Sequence, residues 1–253
     1  MNKAFFDAVR SLFGPLTQGQ VDGFNTISRE ISIHPMLVGD AAYILATAWH
    51  ETATTMQPIE EIGHGAGHPY GLPTGPWHRI YDGNGDVQLT FEANYRKATE
   101  RLRAHGVIDA TVDLERNPEL ARDPEIAASI LVLGMLEGWF TGKKLSDFPD
   151  FINKRRVVNG TDRADLIAHY AIKFEHTLQA GSWTSALVAQ PEILPPASKV
   201  LPSVAPASAA AATPQAPPVF STGGRAPLPN PLPRIMAAIM MLIGAFTVWY
   251  TSH

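Results

Sequence analysis

Cysteine is absent from the 253 residues, which excludes a disulfide framework and any thiolate metal site. Charge is sparse: 17% of residues are charged and the formal net charge is −4. That mild acidity argues against nucleic acid as a partner. The N-terminus, Met1-Asn2-Lys3-Ala4-Phe5-Phe6-Asp7, lacks a continuous apolar run. It makes a poor secretory signal, so export by that route is not expected.

Proline is distributed unevenly. Twelve of the 21 prolines lie between Pro191 and Pro233, in a run dominated by Ala, Ser, Pro and Val. Such a run has little to bury and no helical period, so residues 184–233 are expected to form an extended linker. Beyond it, Ile235 to Tyr250 (IMAAIMMLIGAFTVWY) carries no charge. At 1.5 Å per residue this run spans about 24 Å, slightly short of a ~30 Å hydrocarbon core. Thr251 can extend it, and Trp249-Tyr250 suit the membrane interface. Residues 234–253 are therefore expected to be a transmembrane helix, a buried or partner-docking helix being the alternative. Arg225 and Arg234 precede the run and nothing charged follows it. The positive-inside rule then places the preceding domain on the cytoplasmic side. Residues 1–183 remain as the folded unit, long enough for a core.

Helical signals dominate that unit. Thr17-Gln18-Gly19-Gln20 has the capping-box pattern, with Leu16 and Val21 as a hydrophobic staple, and Val21, Phe24, Ile27 and Ile31 follow at helical spacing. Asp40 is expected to cap a second helix presenting Ile44, Leu45, Ala48 and Trp49 to a core. Asp123-Pro124-Glu125 is a third start, an N-cap before a first-turn proline. It opens an apolar, buried helix from Ile126 to Phe140 that should end at Gly142. A last helix is expected from near Asp162 to just before Gly181. Between Gly63 and Gly85 the pattern breaks, with seven glycines in 23 residues. No amphipathic helix tolerates that density, and the stretch should form a loop-rich lobe. Val87, Leu89 and Phe91 alternate with Gln88 and Thr90, as on a half-buried strand. Helical regions flanking a small irregular lobe suggest two lobes with a cleft between them.

Glu51 closes the second helix, and Glu60 follows nine residues later at the edge of the glycine-rich segment. A helix C-terminus disfavours another anion and apolar neighbours add desolvation, so Glu51 has the setting of a general acid. Taken alone, an exposed helix-end glutamate is the commoner explanation, and Glu60 and Glu61 could equally be two solvated loop acids. Cleaving a glycosidic bond requires such a pair, one carboxyl donating a proton and an ionised partner activating water or stabilising the oxocarbenium-like centre.

Further along, His50-Glu51-Thr52, Glu60, the block from Tyr81-Asp82-Gly83-Asn84-Gly85-Asp86 to Val87-Gln88-Leu89-Thr90, and Asn94-Tyr95 occur in one order. Asn117-Pro118-Glu119-Leu120, Glu137-Gly138-Trp139-Phe140-Thr141-Gly142 and Val158-Asn159-Gly160-Thr161-Asp162-Arg163 continue it. Over about residues 1–180 this order resembles the lysozyme-like family that includes family-19 chitinases and endolysins of phages infecting Gram-negative bacteria. The resemblance implies a mainly α (α+β), bilobal lysozyme-like domain needing no cofactor, monomeric, and acting on peptidoglycan glycan strands or, alternatively, on chitin. A non-catalytic wall-binding module is the rival of another class. With the apolar tail, it implies an enzyme held at the host inner membrane. By the same resemblance Glu51 matches the general acid and Glu60 the second carboxylate, with Glu61 as its near alternative. Gln88 and Thr90 resemble residues that bind sugar and position water. Asn94, Asn159 and Tyr81 fall among the substrate contacts. One departure stands out: relatives usually read Gly-Arg-Gly where this chain has Gly83-Asn84-Gly85, which removes a positive charge near the carboxylates.

No metal is expected to be required, and calcium at Asp82, Asn84 and Asp86 stays open. His50, His64, His68 and His78 lie 14, 4 and 10 residues apart without an HExxH pattern. Asp82, Asn84 and Asp86 do have the i, i+2, i+4 oxygen spacing of a calcium loop, but Val87 stands where such a loop needs glycine. The basic runs Lys143-Lys144 and Lys154-Arg155-Arg156 are expected to be solvated faces that could touch anionic peptidoglycan stems.

Overall fold

The computed structural model describes residues 1–184; the expected linker, apart from its first residue, and the expected transmembrane helix lie outside them. Seven α-helices occur among the described residues: α1 (Lys3–Phe13), α2 (Gln18–Ser32), α3 (Val38–Glu51), α4 (Glu92–Ala104), α5 (Pro124–Glu137), α6 (Phe151–Lys154) and α7 (Ala164–Ala180). None of them is long and apolar enough to cross a membrane. The architecture is thus mainly helical with a small irregular lobe, as the sequence suggests.

Local chemistry sets the helix starts. Thr17 and Gln20 form the reciprocal capping box of α2, and Asp123 accepts from the Glu125 and Ile126 amides at the head of α5. Asp40 does not cap α3. Leu37 holds that place without a side-chain bond, and Asp40 sits in the first turn. Its carboxylate is reserved for Lys154, whose ammonium donates to Asp40 Oδ1 at 2.8 Å, the Leu145 carbonyl at 2.8 Å and the Phe148 carbonyl at 2.6 Å. Three donors meet three acceptors, so a buried lysine costs little here. The helix α5 stops at Gly138, in the left-handed conformation, rather than at Gly142. The last helix runs from Ala164 to Ala180, starting just after Arg163 in the left-handed conformation.

The helix α3 is buried on nearly every face and forms the centre of the body. It packs mainly on α7, and α2 packs on α5. Aromatic rings fill the seam: Phe13 stacks on Phe174 with centroids 4.6 Å apart, and Phe24 stacks on Trp49 at 6.1 Å. Gly23 lets the loop after α3 lie against α2, since a Cβ there would fall 1.7 Å from the Met56 carbonyl oxygen. Thr52 controls the exit from α3. Its hydroxyl donates to the Ala48 carbonyl at 2.7 Å and accepts from the Met56 amide at 3.0 Å.

The lobe between α3 and α4 holds one two-stranded antiparallel sheet, β1 (Ile59–Glu60) with β2 (Asn84–Gly85), in the register Ile59↔Gly85 and Glu60↔Asn84. The alternating segment 87–91 is not a strand. The chain turns back at Gly85, so the Leu89 amide donates to the Asn84 carbonyl at 2.8 Å and the Asn84 amide returns the bond at 3.1 Å. Val87 and Leu89 are buried by this tight turn, not by a pleated sheet, and Gln88 takes φ 53°.

Candidate active site

Glu51 is delivered by the last turn of α3 and is 6% exposed. Its Oε1 accepts from Arg155 Nη1 at 2.7 Å. Arg155 comes from the 3-10 turn Arg155–Val157 and is 1% exposed. Its Nε donates to the Asp162 carbonyl at 2.9 Å. This overturns the expectation that Lys154-Arg155-Arg156 is a solvated face: only Arg156 is exposed. The physical reason lies on α3, whose two buried acids, Asp40 and Glu51, each require a buried cation. The guanidinium also opposes the negative end of the α3 dipole, a counter-charge absent from a reading of the helix alone.

Around this pair several polar atoms remain unsatisfied. Arg155 Nη2, Tyr43 Oη and His50 Nε2 are all buried without a hydrogen-bond partner among the described residues. Burial pushes the Tyr43 hydroxyl well above its ordinary range and holds the His50 imidazole below its own. Glu51 Oε2 makes no hydrogen bond among the described residues, yet it is not one of the sealed, orphaned atoms. One carboxyl oxygen is anchored, and the other is not.

Glu60 sits in β1 under different conditions. It is about one-third exposed, ion-paired through Oε2 to Arg122 and 3.1 Å through Oε1 from His64 Nδ1. With His64, His78, Asp82, Asn84 and Arg122 it lines a cleft of about 390 Å³ between the lobe and the 3-10 helix Pro118–Arg122. Glu51 does not line this cleft. The neighbouring Glu61 is committed elsewhere, since Oε1 accepts from the Tyr70 hydroxyl and Oε2 from the Gly83 amide, both at 3.1 Å. Both oxygens of Glu61 are occupied in holding the lobe together, whereas Glu60 lines the cleft. Arg122 also answers the missing arginine of the Gly83-Asn84-Gly85 turn, for the positive charge reaches Glu60 from across the cleft.

The remaining sequence candidates divide. Gln88 Nε2 donates to the Ile59 carbonyl at 3.1 Å and the Gly85 carbonyl at 3.3 Å, tying β1 to the turn. The Thr90 hydroxyl donates to the Gln88 carbonyl at 2.9 Å and Asn94 Nδ2 to the Thr90 carbonyl at 2.8 Å, forming a ladder under the lobe. Since 87–91 is a turn, Gln88 and Thr90 do not share one face of a strand. Tyr81 is fully buried with its hydroxyl on the Glu115 carbonyl at 2.8 Å, which leaves no surface for a ligand. Asn159 is half-buried, its amide donating to the Arg155 carbonyl at 2.9 Å, so it lies on the Glu51 side of the molecule.

The calcium spacing does not become a calcium loop. Asn84 turns its amide nitrogen onto Asp82 Oδ1 at 3.1 Å and onto the Tyr95 hydroxyl at 2.8 Å. The Asp82 carboxylate groups with Glu60 and His64, and Asp86 is not among them. Asp86 is sealed instead, with burial alone pushing its pKa up to about 7. Because the folded value lies above the unfolded one of 3.8, the native state binds the extra proton. The contribution of Asp86 to stability should therefore be greatest below about pH 4 and fall as pH rises towards 7, by on the order of 4 kcal/mol. Asp86→Asn is expected to match the parent in thermal midpoint at pH 4 and to exceed it at pH 8. Parallel pH profiles for the two proteins would contradict this.

Arg155 and Arg122 are the two residues that reading the sequence missed. Two acids on an apolar helix were a signal that buried cations must exist, but not which ones.

No protein-family model matches the chain, and no curated protein is similar to it. Among solved structures, the chain is similar to a point mutant of chitinase C (TM-score 0.45, 20% identity, 73% of this chain and 97% of that one). It is also similar to chitinase C from Streptomyces griseus (TM-score 0.46, 19% identity, 73% and 79%). A third similar structure is a bacterial family 19 chitinase (TM-score 0.46, 21% identity, 70% of this chain and 94% of that one).

Proposed function

We propose that this chain is a glycoside hydrolase of the endolysin type, cleaving β-1,4 bonds in the glycan of bacterial peptidoglycan. One observation carries the proposal: two carboxylates nine residues apart occupy opposite environments. Glu51 is buried at a helix end with one oxygen anchored on Arg155, and Glu60 is partly exposed in a polar cleft beside Arg122. Carboxyl groups held in unlike surroundings can divide acid and base roles. Glu51 is assigned proton donation to the leaving oxygen, and Glu60 the activation of water or stabilisation of the cationic centre. Gln88, Thr90 and Asn94 hold the lobe that carries Glu60, and Asn159 is placed as a sugar contact. Peptidoglycan is preferred because Lys143, Lys144 and Arg156 remain exposed and suit its anionic peptide stems. The apolar run 235–250 would tether the enzyme to the host inner membrane, so reaching the murein requires a membrane lesion or translocation.

The deciding experiment is mass spectrometry of products from purified murein and from chitin. Hydrolysis leaves reducing-end muropeptides, whereas lytic transglycosylation leaves anhydro ends and amide cleavage frees peptides. Reducing-end muropeptides are the expected result. Products from chitin alone would transfer the activity to chitin, and no products from either would leave a wall-binding module.

A further inference from the structure

We propose that Glu60, His64 and Asp82 form a binding site for a divalent transition-metal ion, zinc by preference, on the wall of the cleft. Each residue offers one donor atom, and the three lie within 4.8 Å of one another. His64 Nδ1 is 3.1 Å from the glutamate oxygen and 3.6 Å from the aspartate oxygen. Ligands about 2.0–2.1 Å from a tetrahedral zinc stand roughly 3.4 Å apart, and the two observed separations bracket that value.

A second observation is independent of this clustering. Asp82 is 3% exposed, and its Oδ2, the oxygen turned towards His64, is buried without a hydrogen-bond partner among the described residues. An orphaned carboxylate oxygen in such a place costs free energy unless something positive meets it. The outer partners of a metal site are also present. Arg122 holds the other oxygen of Glu60, and Asn84 Nδ2 donates to Asp82 Oδ1 at 3.1 Å, so each carboxylate is fixed with one oxygen left over. One imidazole with two carboxylates suits zinc or another late divalent ion and is a poor match for calcium, which takes six to eight oxygens. Three protein ligands leave a fourth tetrahedral position for a water or a substrate oxygen in the cleft.

The site stands on geometry alone, but it has a consequence for the proposed function. A metal on Glu60 Oε1 withdraws the carboxylate assigned to water, so zinc should inhibit glycan cleavage.

The test uses the untagged full-length protein, stripped with chelator and titrated with cobalt(II) as the spectroscopic probe and with zinc by calorimetry. One ion per chain is expected, with the intense visible absorption of four-coordinate cobalt. His64 is exposed on a glycine-rich loop, so His64→Ala should fold normally and bind at least on the order of 10–100-fold more weakly. Asp82→Asn should lose binding similarly. No binding at millimolar metal, binding unchanged in both variants, or calcium binding more tightly than zinc would overturn the site. Zinc binding without any effect on murein cleavage would support the site and count against Glu60 as a catalytic carboxylate. Zinc inhibition that persists undiminished in His64→Ala would place the inhibitory ion elsewhere.

Discussion

Glu51→Gln is expected to lower murein cleavage by roughly 10²–10⁴-fold, the usual contribution of a positioned general acid, while the protein stays folded. The amide keeps the size of the side chain, and its oxygen can still accept from Arg155 Nη1, which now holds Glu51 Oε1 at 2.7 Å. The substitution removes only the ionisable carboxyl function. Some loss of stability will accompany it, because Arg155 stays buried opposite a neutral group, and activity should be compared well below the melting transition. Glu60→Gln should also lower the rate, with little effect on folding, since Glu60 is about one-third exposed at the cleft. Glu61→Gln should reverse that pattern and weaken the lobe, because its carboxylate serves Tyr70 and Gly83. Reducing-end release with circular dichroism on the three variants separates these roles. Glu51→Gln retaining more than about a tenth of parental activity would exclude Glu51 as the acid, given the 10²-fold lower bound for such a group.

The contrast between Glu60 and Glu61 marks where sequence reasoning stops. Helix starts were legible because capping is local: Thr17 with Gln20, and Asp123 with Pro124, act within one turn. The irregular lobe was legible because glycine density forbids a helix there. The partners that fix the site were not, for Arg155 lies 104 residues from Glu51 and Arg122 lies 62 from Glu60. No periodicity reports a contact at that separation. Segment 87–91 misled for a related reason. Alternating burial is common to a strand and to a tight turn whose apolar side chains point inward, and only the Asn84–Leu89 bonds tell the two apart. The even spacing of Asp82, Asn84 and Asp86 does not decide which way each side chain points. Asp40 was assigned a cap on residue type alone, although a carboxylate in a first helical turn can serve a distant lysine instead.

Arg155→Met is expected to destabilise the fold by about 3–5 kcal/mol, the range for removing one partner of a buried ion pair. The loss has two sources. Glu51 would lose its counter-charge in a site only 6% exposed, and the Asp162 carbonyl would lose the donor that now stands 2.9 Å away. Methionine fills much of the vacated volume without adding a polar atom, so most of the change reports the orphaned charge. The double variant Arg155→Met/Glu51→Leu should recover a large share of that stability, because a well-packed apolar pair avoids the desolvation of both ions. Coupling of at least about 2 kcal/mol in the double-mutant cycle, read from urea denaturation, is the expected outcome. The double variant should nevertheless stay inactive. Restored stability with activity still absent would show that α3 carries Glu51 for chemistry, since the helix could be held by hydrophobic packing alone. Simple additivity of the two single changes would instead mean that Arg155 and Glu51 contribute separately, and the pair would no longer explain why α3 ends on a buried acid.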